Sequence, residues 1–152
     1  MVQLKIYLDN CCYGRPFDDH SQVRIKNEAA AKMYIQSLVR FNSLVLCSSF
    51  MLYYEISKCP IEDNKDHIFR FVDEFSSFFI SEELETKIKP ISDDIMATGI
   101  KYKDSVHLAC SIIAECDYFI TTDDRVLNHK TDRIKITDPV KFVKIWREKH
   151  DR

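Results

Sequence analysis

The sequence is poor in the residues that break or loosen a chain: it holds two glycines and four prolines. That scarcity excludes collagenous, linker-rich and low-complexity readings. It also lacks a charge excess, since 22 basic and 24 acidic side chains leave a net charge of −2. A polybasic protein that binds nucleic acid or membrane surface by bulk electrostatics is therefore excluded. No apolar stretch approaches the roughly 20 residues that span a bilayer. The first residues, Met-Val-Gln-Leu-Lys-Ile-Tyr-Leu-Asp, lack an apolar signal core and a small-residue cleavage site, so the expectation is a soluble, cytoplasmic protein. The six cysteines, at 11, 12, 47, 59, 110 and 116, form no C-x-x-C pair, which argues against a zinc ribbon or redox motif. Most sit in apolar runs, where a reduced thiol behaves as a small hydrophobe.

What is present is ordinary globular material: 45% hydrophobic, 12% aromatic and 30% charged residues. A length of 152 residues suits one domain, 1–152, with one core. Leu4 to Leu8 reads as a first strand, stopped at Asp9-Asn10, and Tyr13 to Asp19 as a loop. Apolar residues at helical spacing mark a helix from Ser21 to about Phe41. Leu44 to Cys47 is a second strand, followed from Ser48-Ser49 by a helix to about Cys59. Beyond Pro60 a helix carries Ile61, Ile68, Phe71, Val72 and Phe75 on one face, and Ser77 to Ile80 is a third strand. A helix to Gly99, a mostly buried helix begun by Asp104, and the strand Asp117–Thr122 follow. Ile134 to Ile136 is a last short strand before a terminal helix from about Pro139 to His150.

Strands alternating with helices predict an α/β architecture with a mainly parallel sheet and helices on both faces. In such sheets ligands bind outside the carboxyl ends of the strands. The residues there are acids. Asp9 and Asp123 end strands, Glu55 lies two turns into the helix after Leu44–Cys47, and Asp104 opens the buried helix. In a parallel sheet all four can face one crevice, where their mutual repulsion calls for a cation. Mg²⁺ or Mn²⁺ takes carboxylate oxygens and water, and such an ion can activate water and clamp a phosphodiester. Each acid also has a plainer reading: a turn at Asp9-Asn10, a solvated Glu55, helix N-caps at Asp104 and Asp124. Those plainer readings weaken jointly, because Asp104 begins a buried helix and Asp123 follows the hydroxyls of Thr121-Thr122.

The succession Ile6-Tyr-Leu-Asp-Asn10, Arg15-Pro-Phe-Asp-Asp19, Glu55-Ile56, Asp104-Ser-Val-His-Leu-Ala-Cys110 and Tyr118-Phe-Ile-Thr-Thr-Asp-Asp124 resembles the PIN-domain family across nearly the whole chain. The resemblance implies a three-layer α/β/α PIN-like fold and a Mg²⁺- or Mn²⁺-dependent ribonuclease. It also implies the toxin of a toxin–antitoxin pair, with RNA as substrate and a cognate antitoxin and a second copy of the chain as partners. By that resemblance Asp9, Glu55, Asp104 and Asp123 are the catalytic and metal-binding acids, with Asp124 an additional ligand. Asn10, Thr121 and Thr122 support them; Asn10 departs from the Ser or Thr of many members, though an amide can still hold a ligand water. Arg15, Lys101, Lys103, Arg125 and Lys130 lie near the crevice in sequence and can meet RNA phosphates, or be solvated surface. His107, one turn beyond Asp104, reads as core or helix packing rather than as a zinc ligand or general base.

Two other classes compete. A PIN-like module that binds RNA or protein without cutting would have no reason to keep four crowded acids. A phosphotransfer enzyme with Asp9 as nucleophile wants a second Asp two residues on, where Cys11 stands. A phospho-receiver wants a Lys at the end of a late strand, whereas Lys135 falls inside one.

Overall fold

The structure, a computed structural model, describes residues 3–150. Five strands form one wholly parallel sheet in the order β3-β2-β1-β4-β5. They are β1 Leu4–Leu8, β2 Leu44–Ser49, β3 Ser76–Ile80, β4 Tyr118–Ile120 and β5 Lys135–Thr137. The helices are α1 Asn10–Gly14, α2 Val23–Arg40, α3 Phe50–Ser57, α4 Glu62–Phe75, α5 Glu85–Met96, α6 Tyr102–Ile113, α7 Asp124–Leu127 and α8 Pro139–His150.

Strand alternation sorts the core into two layers. Ile6 and Leu8 of β1, Leu44 and Leu46 of β2, and Tyr118 and Ile120 of β4 face α2, α4 and α8. Tyr7, Cys47 and Phe119, the intervening residues, face α5 and α6 on the other side. A parallel sheet buried on both faces needs such apolar strands, and the α/β/α sandwich predicted from the alternation of elements is the fold observed. Cys12, Cys47, Cys110 and Cys116 are buried and all six cysteines are free, as the reading of them as small hydrophobes requires. Among the described residues no helix is long and apolar enough to cross a membrane.

Some expectations are corrected locally. Residues 13–19 are not an open loop: Asp9 caps α1, and a 3-10 turn, Arg15–Phe17, follows with proline in its first turn. A five-residue helix is too short to show periodicity. Ile61 is exposed and sits before α4 rather than on its buried face. The helix expected to reach Gly99 ends at Met96, and Gly99, at φ +105°, turns the chain towards α6.

Candidate metal centre

The parallel topology brings the ends of β1, β2 and β4 to one edge, and Asp9 stands at its centre. The Asp9 amide donates to the Ile120 carbonyl (2.9 Å), which ties β1 to β4 up to their last residues. Its carboxylate, 5% exposed, accepts from the Asn10 amide at Oδ1 (2.8 Å) and from the Thr121 hydroxyl at Oδ2 (2.9 Å). Thr121 in turn accepts from the Asp123 amide (3.1 Å). Asn10 and Thr121 thus support Asp9 directly, while buried Thr122 donates its amide to the Cys11 sulfur (3.3 Å). The Cys11 thiol lies 3.6 Å from Asp9 Oδ2, so the residue that argued against a phosphotransfer enzyme belongs to the surroundings of this acid.

Glu55 comes from α3. That helix starts at the sheet edge because Ser49, the last residue of β2, caps it by accepting from the Leu52 amide (3.2 Å). The same Ser49 hydroxyl lies 2.6 Å from the Tyr7 hydroxyl, and Tyr7 lies 2.6 Å from His107 Nδ1. The other ring nitrogen of His107, Nε2, bonds the Glu55 carboxylate and stands 4.0 Å from Asp9 Oδ1. Ligand atoms of Asp9, Glu55 and His107 all lie within 4.8 Å of one another. His107 is fully buried, as a packing residue would be, yet it is also the base of the acidic crevice.

The charges of this group are strained by burial and by one another. Burial raises the Asp9 carboxyl above the usual range, against the pull of His107 and Thr121. Asp104, in the first turn of α6, is pushed up to about 6 by burial and by the neighbouring charges of Asp9 and Asp123. Burial would raise Glu55 too, but the hydrogen bond and charge of His107, with Lys103, hold it below its ordinary value. For His107, burial disfavours the imidazolium, and the bond to Glu55 with the charges of Asp9, Glu55 and Asp104 overcomes this and raises its pKa.

Asp123 is the N-cap of α7, accepting from the Arg125 amide (2.9 Å), and its charge reaches Asp104. Asp124 points elsewhere: both of its oxygens are held by the Arg24 guanidinium, at 2.8 and 3.0 Å. Arg15 bonds the buried Glu28 (3.0 Å) and Asp18 (2.9 Å). Lys101 precedes α6, Lys103 stands over the Tyr54 ring at 5.3 Å, and both are exposed, as are Arg125 and Lys130. His107 is the site residue whose sequence signal pointed elsewhere; its spacing of three from Asp104 on one helix was the available clue.

No protein-family model matches the chain, and no curated protein matches it. Solved structures do. VapBC2 from Rickettsia felis, bound to a DNA fragment from their promoter, aligns with a TM-score of 0.55 at 12% identity, covering 89% of this chain and 98% of that one. FitAcB from Neisseria gonorrhoeae aligns with a TM-score of 0.55 at 14% identity, covering 88% of this chain and 97% of that one. Likenesses at such identities speak for the fold, and the fold they share with this chain is the three-layer PIN-like α/β/α sandwich.

Proposed function

We propose that the chain is a Mg²⁺- or Mn²⁺-dependent endoribonuclease of PIN type, and the toxin of a type II toxin–antitoxin pair. The observation that carries the reading is the convergence of Asp9, Glu55 and His107, with ligand atoms within 4.8 Å, at the carboxyl edge of a parallel sheet. Asp104 completes the case, because a half-buried carboxyl pushed up to about 6 by acidic neighbours is what a divalent cation would relieve. The carboxylates of Asp9 and Glu55 fit such an ion, and His107 Nε2 can join them on giving up its proton and its bond to Glu55, a ligand set that would suit Mn²⁺ better than Mg²⁺. A bound cation would supply water activation and neutralisation of the phosphodiester oxygens.

The protein's own contributions are positional. Thr121 and the Asn10 amide fix both oxygens of Asp9, leaving their remaining lone pairs for a ligand. The Ser49–Tyr7–His107 chain fixes the imidazole, which in turn holds Glu55. Asp104 and Asp123 bring further negative charge to the same crevice, Asp123 through the start of α7. Lys101, Lys103 and Arg125 are exposed cations that can meet RNA phosphates. Asp124 and Arg15, engaged with Arg24 and Glu28, are less available for ligation and for RNA. A cognate antitoxin and a second copy of the chain are the partners this reading assigns.

Cleavage of mixed structured and single-stranded RNAs by the purified protein tests it, with Mn²⁺, Mg²⁺ or chelator and an Asp9→Asn control. Asp9→Asn should keep its fold and lose activity by on the order of 100- to 1,000-fold or more. Cleavage that survives chelation or the substitution would remove the nuclease. Binding of RNA or protein without cleavage would move the chain to the non-catalytic module.

A further inference from the structure

We infer that the face beside the acidic crevice is a stacking subsite for one splayed-out base of single-stranded RNA, built by Tyr54 and Tyr102. The inference rests on the nuclease reading and names its substrate class. A cavity of about 550 Å³ opens between α3 and the start of α6, lined by Phe50, Tyr53, Tyr54, Tyr102, Glu82 and Lys103 among others. That is room for a nucleobase with its sugar. Tyr54 is 46% exposed and Tyr102 59%, and both rings border the same cavity.

Lys103, which lines the cavity, also reaches the Glu55 carboxylate with its charge, so the cavity adjoins the acidic site. Tyr54 immediately precedes Glu55 on α3, and Tyr102 lies two residues before Asp104 on α6.

Charge argues for a nucleic acid over an apolar peptide. Two ammonium groups, Lys58 and Lys103, stand over the Tyr54 ring at 5.1 and 5.3 Å. A base that stacks on Tyr54 displaces these ammonium groups from the ring and leaves them free to meet its phosphates. Duplex RNA keeps its bases stacked inside, so only an unpaired nucleotide can present one to the two tyrosines. Glu82, exposed on the same cavity, can accept from the exocyclic amine of cytosine or adenine, which uracil lacks.

The test is fluorescence anisotropy with labelled RNA octamers of C, A or U, single-stranded or in a duplex. The full chain carries Asp9→Asn and Mg²⁺ is present, so that the RNA stays intact. Single strands should bind more tightly than duplex. Tyr54→Ala and Tyr102→Ala should each weaken single-strand binding roughly 5- to 100-fold, with Tyr102→Trp restoring it. Glu82→Gln should remove a preference for C and A over U. Both tyrosines are exposed, so unchanged melting temperatures serve as the folding control.

Parental affinity in both alanine variants, while the unsubstituted protein cleaves RNA with metal, would overturn the subsite and leave the nuclease standing. Absence of both RNA binding and cleavage would overturn the two together. Alanine variants that keep RNA affinity but lose a protein partner would reassign the face to that partner.

Discussion

His107 on α6 and Glu55 on α3 are hydrogen-bonded across the floor of the acidic crevice, 52 residues apart in the chain. The bond sets among the carboxylates a ring whose protonation they favour and its burial opposes. Either protonation state of the ring is satisfied. The neutral ring donates from Nε2 to Glu55 and accepts at Nδ1 from Tyr7, whereas the imidazolium donates to both. Tyr7 can turn its own proton towards His107 or towards Ser49 accordingly.

Removing that ring should therefore cost stability through charge as well as packing. His107→Ala leaves the Tyr7 hydroxyl and Glu55 without their partner and should destabilise the metal-free protein by on the order of 2 kcal/mol or more in urea unfolding. Adding Glu55→Gln to His107→Ala should recover part of the loss, because the stranded carboxylate is then gone. Strictly additive losses in the double-mutant cycle would reduce His107 to a packing residue.

The sequence made much of this site legible because its acids are announced locally. Asp9 follows an apolar strand, and Asp104 stands in the first turn of an apolar helix, so period and position suffice. His107 defeats the same reasoning. Its partners Glu55 and Tyr7 are 52 and 100 residues away, and an imidazole on a buried helix face looks the same whether it packs or pairs. The resemblance ranks Asp123 as the fourth acid and Asp124 as an additional ligand, but where each side chain points is decided outside the local sequence. The first turn of α7 sends one to cap the helix and the other to Arg24 of α2, a choice set by backbone direction and by a partner 100 residues distant. The fold itself was the most legible layer, since alternate strand residues such as Ile6 and Tyr7 had to serve opposite faces. The short α1 lies below the length at which periodicity can speak.

The metal-free protein should gain stability as pH falls from 8 to 5. Asp104, at about 6 in the folded chain against an ordinary 3.8, binds its proton more tightly folded than unfolded. Its contribution is fully present below the unfolded value and is lost as pH rises through about 6. Asp9, also raised, and His107, raised above its ordinary 6.5, act in the same direction. Glu55 opposes them only below its ordinary 4.5, outside this window, and Lys32, lowered to about 8 by burial, opposes them at its upper end, so the gain is concentrated between pH 7 and 5. Asp104 is half-buried, so solvent screening trims its share to on the order of 1 kcal/mol, a shift of about 2–4 °C in Tm. Thermal melts in chelator at pH 5, 6, 7 and 8 check the direction, and a Tm that climbs with pH would contradict it. Mn²⁺ should flatten the profile, because a bound cation lowers the same carboxyl pKa values.

Arg15 supplies the sharpest contrast between a structural and an RNA-binding cation. Glu28, whose side chain is 4% exposed, accepts from Arg15 Nε at 3.0 Å and from Arg24 Nε at 3.3 Å. Arg24 also holds the Thr122 carbonyl and Asp124, so it ties α2 to the segment after β4. With Arg15→Ala the buried carboxylate keeps one guanidinium, and stability should fall by about 1–3 kcal/mol. Glu28→Gln, which removes the charge in need of pairing, should make the Arg15→Ala loss smaller when the two are combined. RNA affinity of the Arg15 variant should stay close to that of the parent, while Lys103→Ala, which strips an exposed ammonium from the Tyr54 ring, should lower it. The reverse result, an Arg15 variant that melts normally but binds RNA weakly, would place this guanidinium on the phosphates and leave Arg24 as the effective partner of Glu28.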